Sequence, residues 1–321
     1  MSMRMTDFLG YLTLFAILAA IWILFGENPE KHQGGRGEIY LADFVDQANK
    51  VAEIDLQKQG QALKLKQGAT GWQLVVQSGT AGYPVPTAQV NGMLQALVDV
   101  ERIDPKTMNK DRFSKLHLAD KALIVTLKDA KSEVLRQFKV GKHRAVEGKS
   151  RSYAFQDSDT RAWMVGGMPN LPLDVADWIK NPVIDIPRAD IKQMTLSDGT
   201  VIRQEGDKLM VAPLSDQGKA DQIKAVEDYK LGMVLNGLAQ FEAQNVIELA
   251  NPLEAPLKTI QLVRTDGQTV TASIYEQLGK KWVKISGVEG LDPWAFLPTD
   301  ASLKALLTTR DDITVAVKSA L

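Results

Sequence analysis

Val51–Val75, VAEIDLQKQGQALKLKQGATGWQLV, is the stretch whose reading decides the fold. Apolar and polar side chains alternate over Val51–Leu56 and again over Ala62–Leu65, the period of a half-buried strand. Gly68 and Gly71 interrupt the pattern before a third run, Trp72–Val76. Three short strands separated by turn residues predict a small antiparallel meander.

Further along, Thr87 is placed to cap a helix over Ala88–Arg102, where Val90, Met93, Leu94, Leu97 and Val100 recur at helical spacing. Leu123–Leu127 and Val134–Val140 predict a hairpin joined by Lys128–Glu133. Tyr153–Phe155 and Trp163–Val165 predict another, turning at Asp157–Thr160. Strands, one helix and strands again make an α+β unit with a mainly antiparallel sheet.

The same order returns about 140 residues later, as an internal repeat would. VAEIDL is echoed by Ile191–Leu196 (IKQMTL), and the helix starting GMLQALVDVERI at Gly92 by GMVLNGLAQFEAQNVI at Gly232. Leu94, Leu97 and Val100 match Leu235, Leu238 and Phe241 at one constant offset. Leu123–Val140 matches Thr259–Tyr275, with Thr265–Gln268 (TDGQ) as the turn. Lys281–Ile285 predicts a further strand, Trp294–Leu297 with Ala301–Leu307 a closing turn and helix, and Ile313–Val317 a final strand or tail. Between the halves, Leu173–Ile179 predicts a short helix that Asn181-Pro182 ends.

Ahead of the first repeat lies Phe8–Phe25, FLGYLTLFAILAAIWILF, without a charge. As a helix it would span roughly 27 Å, close to a bilayer's hydrocarbon core. No small-x-small cleavage site follows Phe25, so a retained anchor is expected in preference to a cleaved signal. Arg4 before it and Glu27, Glu30, Lys31 and Arg36 after it give a slight bias toward a cytoplasmic N-terminus. Ala16, Ala19 and Ala20 are candidate contacts to a partner helix in the membrane. Residues 27–38, rich in Gly with Pro29, are expected as a linker.

The expected organisation is therefore an α+β protein: an N-terminal single transmembrane helix (1–26), the linker (27–38) and two repeated, mainly antiparallel strand–helix–strand domains (39–190 and 191–321).

Composition narrows the chemistry. The chain is 45% hydrophobic and 24% charged, as a folded protein is, and its net charge of -1 gives no global attraction to nucleic acid. With no cysteine, disulfides, thiolate metal sites and a lipid-modified Cys are excluded. His32, His117 and His143 have no second ligand at metal-binding spacing, so no metal or cofactor is expected. No P-loop, G-x-S-x-G or dinucleotide fingerprint is present. Asp157/Asp159 and Asp311-Asp312 read as turn carboxylates. The one notable basic patch is Lys139, Lys142, His143, Arg144, Lys149 and Arg151. It surrounds Gly141 and Gly148, and Lys142, His143 and Arg144 are expected on an exposed partner-contact loop.

From about Tyr40 to Pro213 the chain resembles the bacterial family known as domain of unknown function 4340. The resemblance is carried by VAEIDLQKQGQALKLKQGATGWQLV, YPVPTAQVNGMLQALVDVERI, ALIVTLKDAKSEVLRQFKVGK and RSYAFQDSDTRAWMV leading into VADWIKNPVIDI. It implies a non-enzymatic, membrane-anchored periplasmic accessory subunit beside a gliding-motility-type ABC transporter. Its partners would be the permease, the ATPase and a periplasmic auxiliary protein. The alternatives are a free-standing cell-envelope scaffold and, behind it, a periplasmic hydrolase.

Overall fold

The computed structural model describes residues 35–76, 82–146, 149–206, 208–212, 225–226, 228–249, 255–277 and 279–315. Val51–Val75 forms three strands: β1 (Glu53–Lys58), β2 (Gln61–Gly68) and β3 (Gly71–Val75). β1 and β2 pair in unbroken antiparallel register from Glu53↔Lys66 to Lys58↔Gln61. Alternation buries Ile54, Leu56, Leu63 and Leu65 on one face, each worth about 1.5–3 kcal/mol of transfer free energy.

β4 (Gly82–Pro84), helix α1 (Thr87–Val98), β5 (Glu101–Pro105), β6 (Leu123–Lys128), β7 (Val134–Val146), β8 (Lys149–Phe155) and β9 (Trp163–Gly166) come next. Their nine-stranded sheet runs β4-β3-β2-β1-β6-β7-β8-β9-β5. The second series is β10 (Ile191–Thr195), β11 (Val201–Glu205), β12 (Lys208–Val211), the short β13 (Ala225–Val226), helix α2 (Asp228–Ala239), β14 (Ala243–Glu248), β15 (Lys258–Arg264), β16 (Thr269–Gln277), β17 (Lys280–Ser286) and β18 (Trp294–Pro298). Its eight-stranded sheet runs β12-β11-β10-β15-β16-β17-β18-β14. Apart from β4, the two orders correspond strand for strand. α1 and α2 occupy the same place in the connectivity. Helix α3 (Asp300–Leu307) and β19 (Thr314–Val315), paired with β13, close the described chain.

These sheets correct the expected fold class, which is mainly antiparallel β and not α+β. The helices expected to run on through Arg102 and toward Ile247 stop at Val98 and Ala239. Each gives way to a strand, β5 or β14, that hydrogen-bonds β9 or β18 more than 40 residues away in sequence. Trp294–Leu297, expected as a turn, is likewise strand. Val100 and Phe241, despite their helical spacing, fall between the helix ends and these strands, whose long-range pairing decides where the helices stop. The expected membrane helix over Phe8–Phe25 lies outside the described residues. Among the described residues, no helix is long and apolar enough to cross a membrane.

Each series also covers its own edge strand with the chain that precedes it, leaving fewer unpaired backbone groups there. Tyr40 N–H donates to Val100 O at 2.6 Å and Gly37 N–H to Arg102 O at 2.8 Å beside β5. Beside β14, Val183 N–H donates to Phe241 O at 2.7 Å and Ile186 N–H to Ala239 O at 2.8 Å. The Asn181 side chain adds a two-pronged contact, donating to Ala243 O at 2.9 Å and accepting from Ala243 N–H at 3.0 Å.

The described chain forms two compact units. One takes residues up to Asn49, Leu94–Ile124 and Arg136–Pro169. Its core gathers Phe113, Leu118, Tyr153, Phe155 and Ala162, with Phe113 and Phe155 edge to face at 4.8 Å. The other takes Lys50–Met93, Val125–Leu135 and the chain from Asn170. There Leu249, Trp282 and Ala295 pack together. A chain of rings also runs from Trp294 through Tyr83 and Phe296 to Phe241. Burial pushes the Tyr83 hydroxyl up to about 12, so it stays protonated.

Candidate functional site

The expected contact residues Lys142, His143 and Arg144 stand on strand, not on a loop: all three belong to β7. β7 is 13 residues long against four for β9. Its far end continues as a two-stranded ribbon with β8, pairing His143↔Ser152, Arg144↔Arg151, Ala145↔Ser150 and Val146↔Lys149. β9 reaches only as far as Arg151↔Gly166.

A β-bulge between Val140 and His143 starts the ribbon. Gly141 sits there, and a Cβ on it would lie 2.2 Å from the Leu116 carbonyl oxygen. Only glycine lets the strand pass this close to the Phe113–Leu116 turn.

Strand alternation sorts the ribbon's side chains. On one face His143 lies between two hydroxyls, Ser152 Oγ and Ser150 Oγ, each at 3.4 Å. On the other, Arg144 donates to Tyr153 Oη at 3.3 Å and stands directly across from Arg151. Lys142 and Lys149 share that face. Lys142, Arg144 and Lys149 are exposed and Arg151 is half-buried.

The same unit holds a buried polar cluster with no local sequence signal. Arg102 on β5 pairs with Asp159 in the β8–β9 loop at 2.9 Å, 57 residues apart. Its guanidinium lies 5.0 Å from the Trp163 ring and 5.9 Å from the Tyr40 ring. Gln156 Nε2 donates to Tyr40 O at 3.4 Å, and at the rim Arg136 reaches the exposed Asp43 at 3.6 Å.

Burial raises the Asp159 carboxyl's pKa above the ordinary value, though Arg102, Gln156 and Arg136 all pull it back. Burial also pushes the Tyr40 hydroxyl up, and the Asp159 charge adds to the effect. The cluster clamps Gly37–Phe44 onto the sheet edge, where Tyr40, Leu41 and Phe44 are buried. Asp159, expected as an ordinary turn carboxylate, is thus half of an internal ion pair.

Elsewhere the titratable groups serve the framework. Lys128 Nζ bridges Glu53 at 2.8 Å and Asp55 at 2.5 Å across β1 and β6, and Lys64 joins at 3.1 and 3.4 Å. Burial works against the Glu53 charge, but hydrogen bonds from Lys128 and Lys64 outweigh it and hold the carboxyl below 4.5. His117 ends the Phe113–Leu116 turn in a left-handed conformation. Asp312 closes a capping box with Thr309. Among the described residues, no group of three His, Asp or Glu could hold a metal ion. Ala16, Ala19, Ala20 and His32 lie outside the described residues.

The family described as Domain of unknown function (DUF4340) matches residues 72–262, more than half the chain, and the chain belongs to that family. The match runs from β3 into β15 and so takes in strands of both sheets. No curated protein and no solved structure matches the chain.

Proposed function

We propose that this DUF4340 protein is a membrane-anchored periplasmic accessory subunit of a gliding-motility-type ABC transporter complex, acting as a protein-interaction module. The family match over residues 72–262 is the observation this reading starts from, and the transporter association is the part proposed. The uncharged stretch Phe8–Phe25 supports attachment at the bacterial inner membrane, with the sheets on the periplasmic side. The polar groups gathered inside the described sheets hold chain segments together, which suits an interaction module. β7–β8 offers that module an exposed, charged face.

The test is affinity purification of the full chain from mild detergent, with identification of the proteins that come with it. A permease and an ATPase in stoichiometric amounts support the proposal. Recovery of neither, under conditions that preserve a known transporter assembly, overturns it.

A further inference from the structure

We propose that the cationic face of the β7–β8 ribbon, made by Lys142, Arg144, Lys149 and Arg151, docks onto an acidic protein surface. This rests on the interaction-module reading and names the surface and its partner's chemistry.

Three observations carry it. First, the four cations share one ribbon face, and Arg144 and Arg151 are directly opposed across the strands. Like charges in that position destabilise a hairpin. Among the described residues no carboxylate pairs with any of the four. The single acidic residue between Lys139 and Arg151 in sequence, Glu147, lies outside the described residues.

Second, the fold does not require this arrangement. The corresponding hairpin of the other series, β16–β17, sets Glu276 opposite Lys281 and Tyr275 opposite Trp282. Four cations that, among the described residues, have no carboxylate partner are therefore a property of this ribbon and not of the topology.

Third, the ribbon points away from the N-terminal lead-in. Arg36 pairs with Asp104 at 2.6 Å, and Gly37 bonds Arg102, toward the end of β5 that lies beside Trp163. The ribbon leaves the sheet at the opposite end, beyond Gly166. From Ala154, level with Trp163, to Lys149 is five residues of strand, roughly 17 Å. The described lead-in and the tip of the ribbon therefore lie toward opposite ends of the strands. Tyr153, buried beneath the ribbon, accepts the Arg144 hydrogen bond and holds the guanidinium on this face.

The experiment uses the full chain in detergent micelles and a fluorescent polyglutamate peptide as the acidic probe, read by anisotropy. The variant is Lys142→Glu/Arg144→Glu/Lys149→Glu/Arg151→Glu. The control, Lys192→Glu/Lys208→Glu/Lys280→Glu, changes exposed lysines elsewhere. The wild-type and control chains bind, about tenfold more weakly as salt rises from about 50 to 200 mM, and the ribbon variant loses about tenfold or more in affinity.

The melting temperature of Arg151→Glu alone is the second readout. It stays level or rises if the cations serve a partner, because a repulsive pair becomes an attractive one. A fall would make Arg151 structural and overturn the proposal. Equal binding by all chains, or no binding by the wild type, overturns it too. So does binding confined to phosphatidylglycerol vesicles run in parallel, which would identify a lipid surface instead. Permease recovery with the wild-type chain is scored separately, so the ribbon inference and the transporter reading fail independently.

Discussion

β7–β8 and β16–β17 occupy the same place in two sheets of matching connectivity, yet they use their faces in opposite ways. β16–β17 runs seven residue pairs in unbroken register, from Thr271↔Ser286 to Gln277↔Lys280. It buries Trp282, whose Nε1 donates to Gln277 O at 3.2 Å. β7–β8 breaks register at a bulge, runs past its neighbour β9 and faces Arg144 with Arg151. One hairpin spends its side chains on the core. The other carries a charge pattern that weakens it. When two copies of one plan differ this way, connectivity explains what they share, and the choice of side chains explains how they differ.

The largest test of the contrast is truncation. Trp282→Ala should cost about 3–5 kcal/mol in urea unfolding, and Arg151→Ala close to nothing. Equal losses would end the claim that only one hairpin is built into the core.

The edge covers differ in the same direction. Arg102→Met strands the buried Asp159 carboxylate and should cost about 3–5 kcal/mol. Asn181→Ala, at the β14 edge, removes a neutral two-pronged contact and should cost about 1–3 kcal/mol. Calorimetric melts of both decide the order, and a costlier Asn181→Ala would reverse it.

Gly141→Ala places a Cβ against the Leu116 carbonyl and should cost about 1–3 kcal/mol. An unperturbed melt would mean that the bulge relaxes freely and does not hold the ribbon in place.

The β1–β6 ion network adds a pH dependence. The folded Glu53 pKa lies below its ordinary 4.5, so its contribution is complete above that value. It is lost as pH falls through the lower folded value. Lys128→Met should flatten this part of the acid limb in urea midpoints taken from about pH 6 to about pH 3. Asp104, Asp198 and Asp312, also held low, keep the remaining slope in both proteins. Identical slopes would remove Glu53 from the account.

The smallest expected effect is the gain from Arg151→Glu, about 0.2–1 kcal/mol from converting a like-charge cross-strand pair. A loss of that size would make Arg151 structural and overturn the docking proposal.

Much of this was legible in one dimension. Alternation in Val51–Val75 marked β1, β2 and β3, and the matching order of segments anticipated two sheets of like connectivity. Turn residues placed the β8–β9 loop. The basic run from Lys139 to Arg151 was visible as charge, but its sharing of one strand face was not. The bulge at Gly141, which lies against the Phe113–Leu116 turn, and the length of β7 decide that face. The start of β5, to Arg102, and β14 as far as Ile247 were read as running on from helices because the apolar residues before them fit a 3.6-residue spacing, while their hydrogen bonds are long-range.

Sequence alone determined the alternating strands, the repeat and the exclusion of thiol chemistry, since periodicity and composition are local properties of the chain. Tertiary structure alone decided three things. The sheets outweigh the helices, Asp159 is an internal partner of Arg102, and four cations meet on one ribbon face. Each depends on backbone pairing or burial between residues far apart in sequence, and no local pattern encodes that.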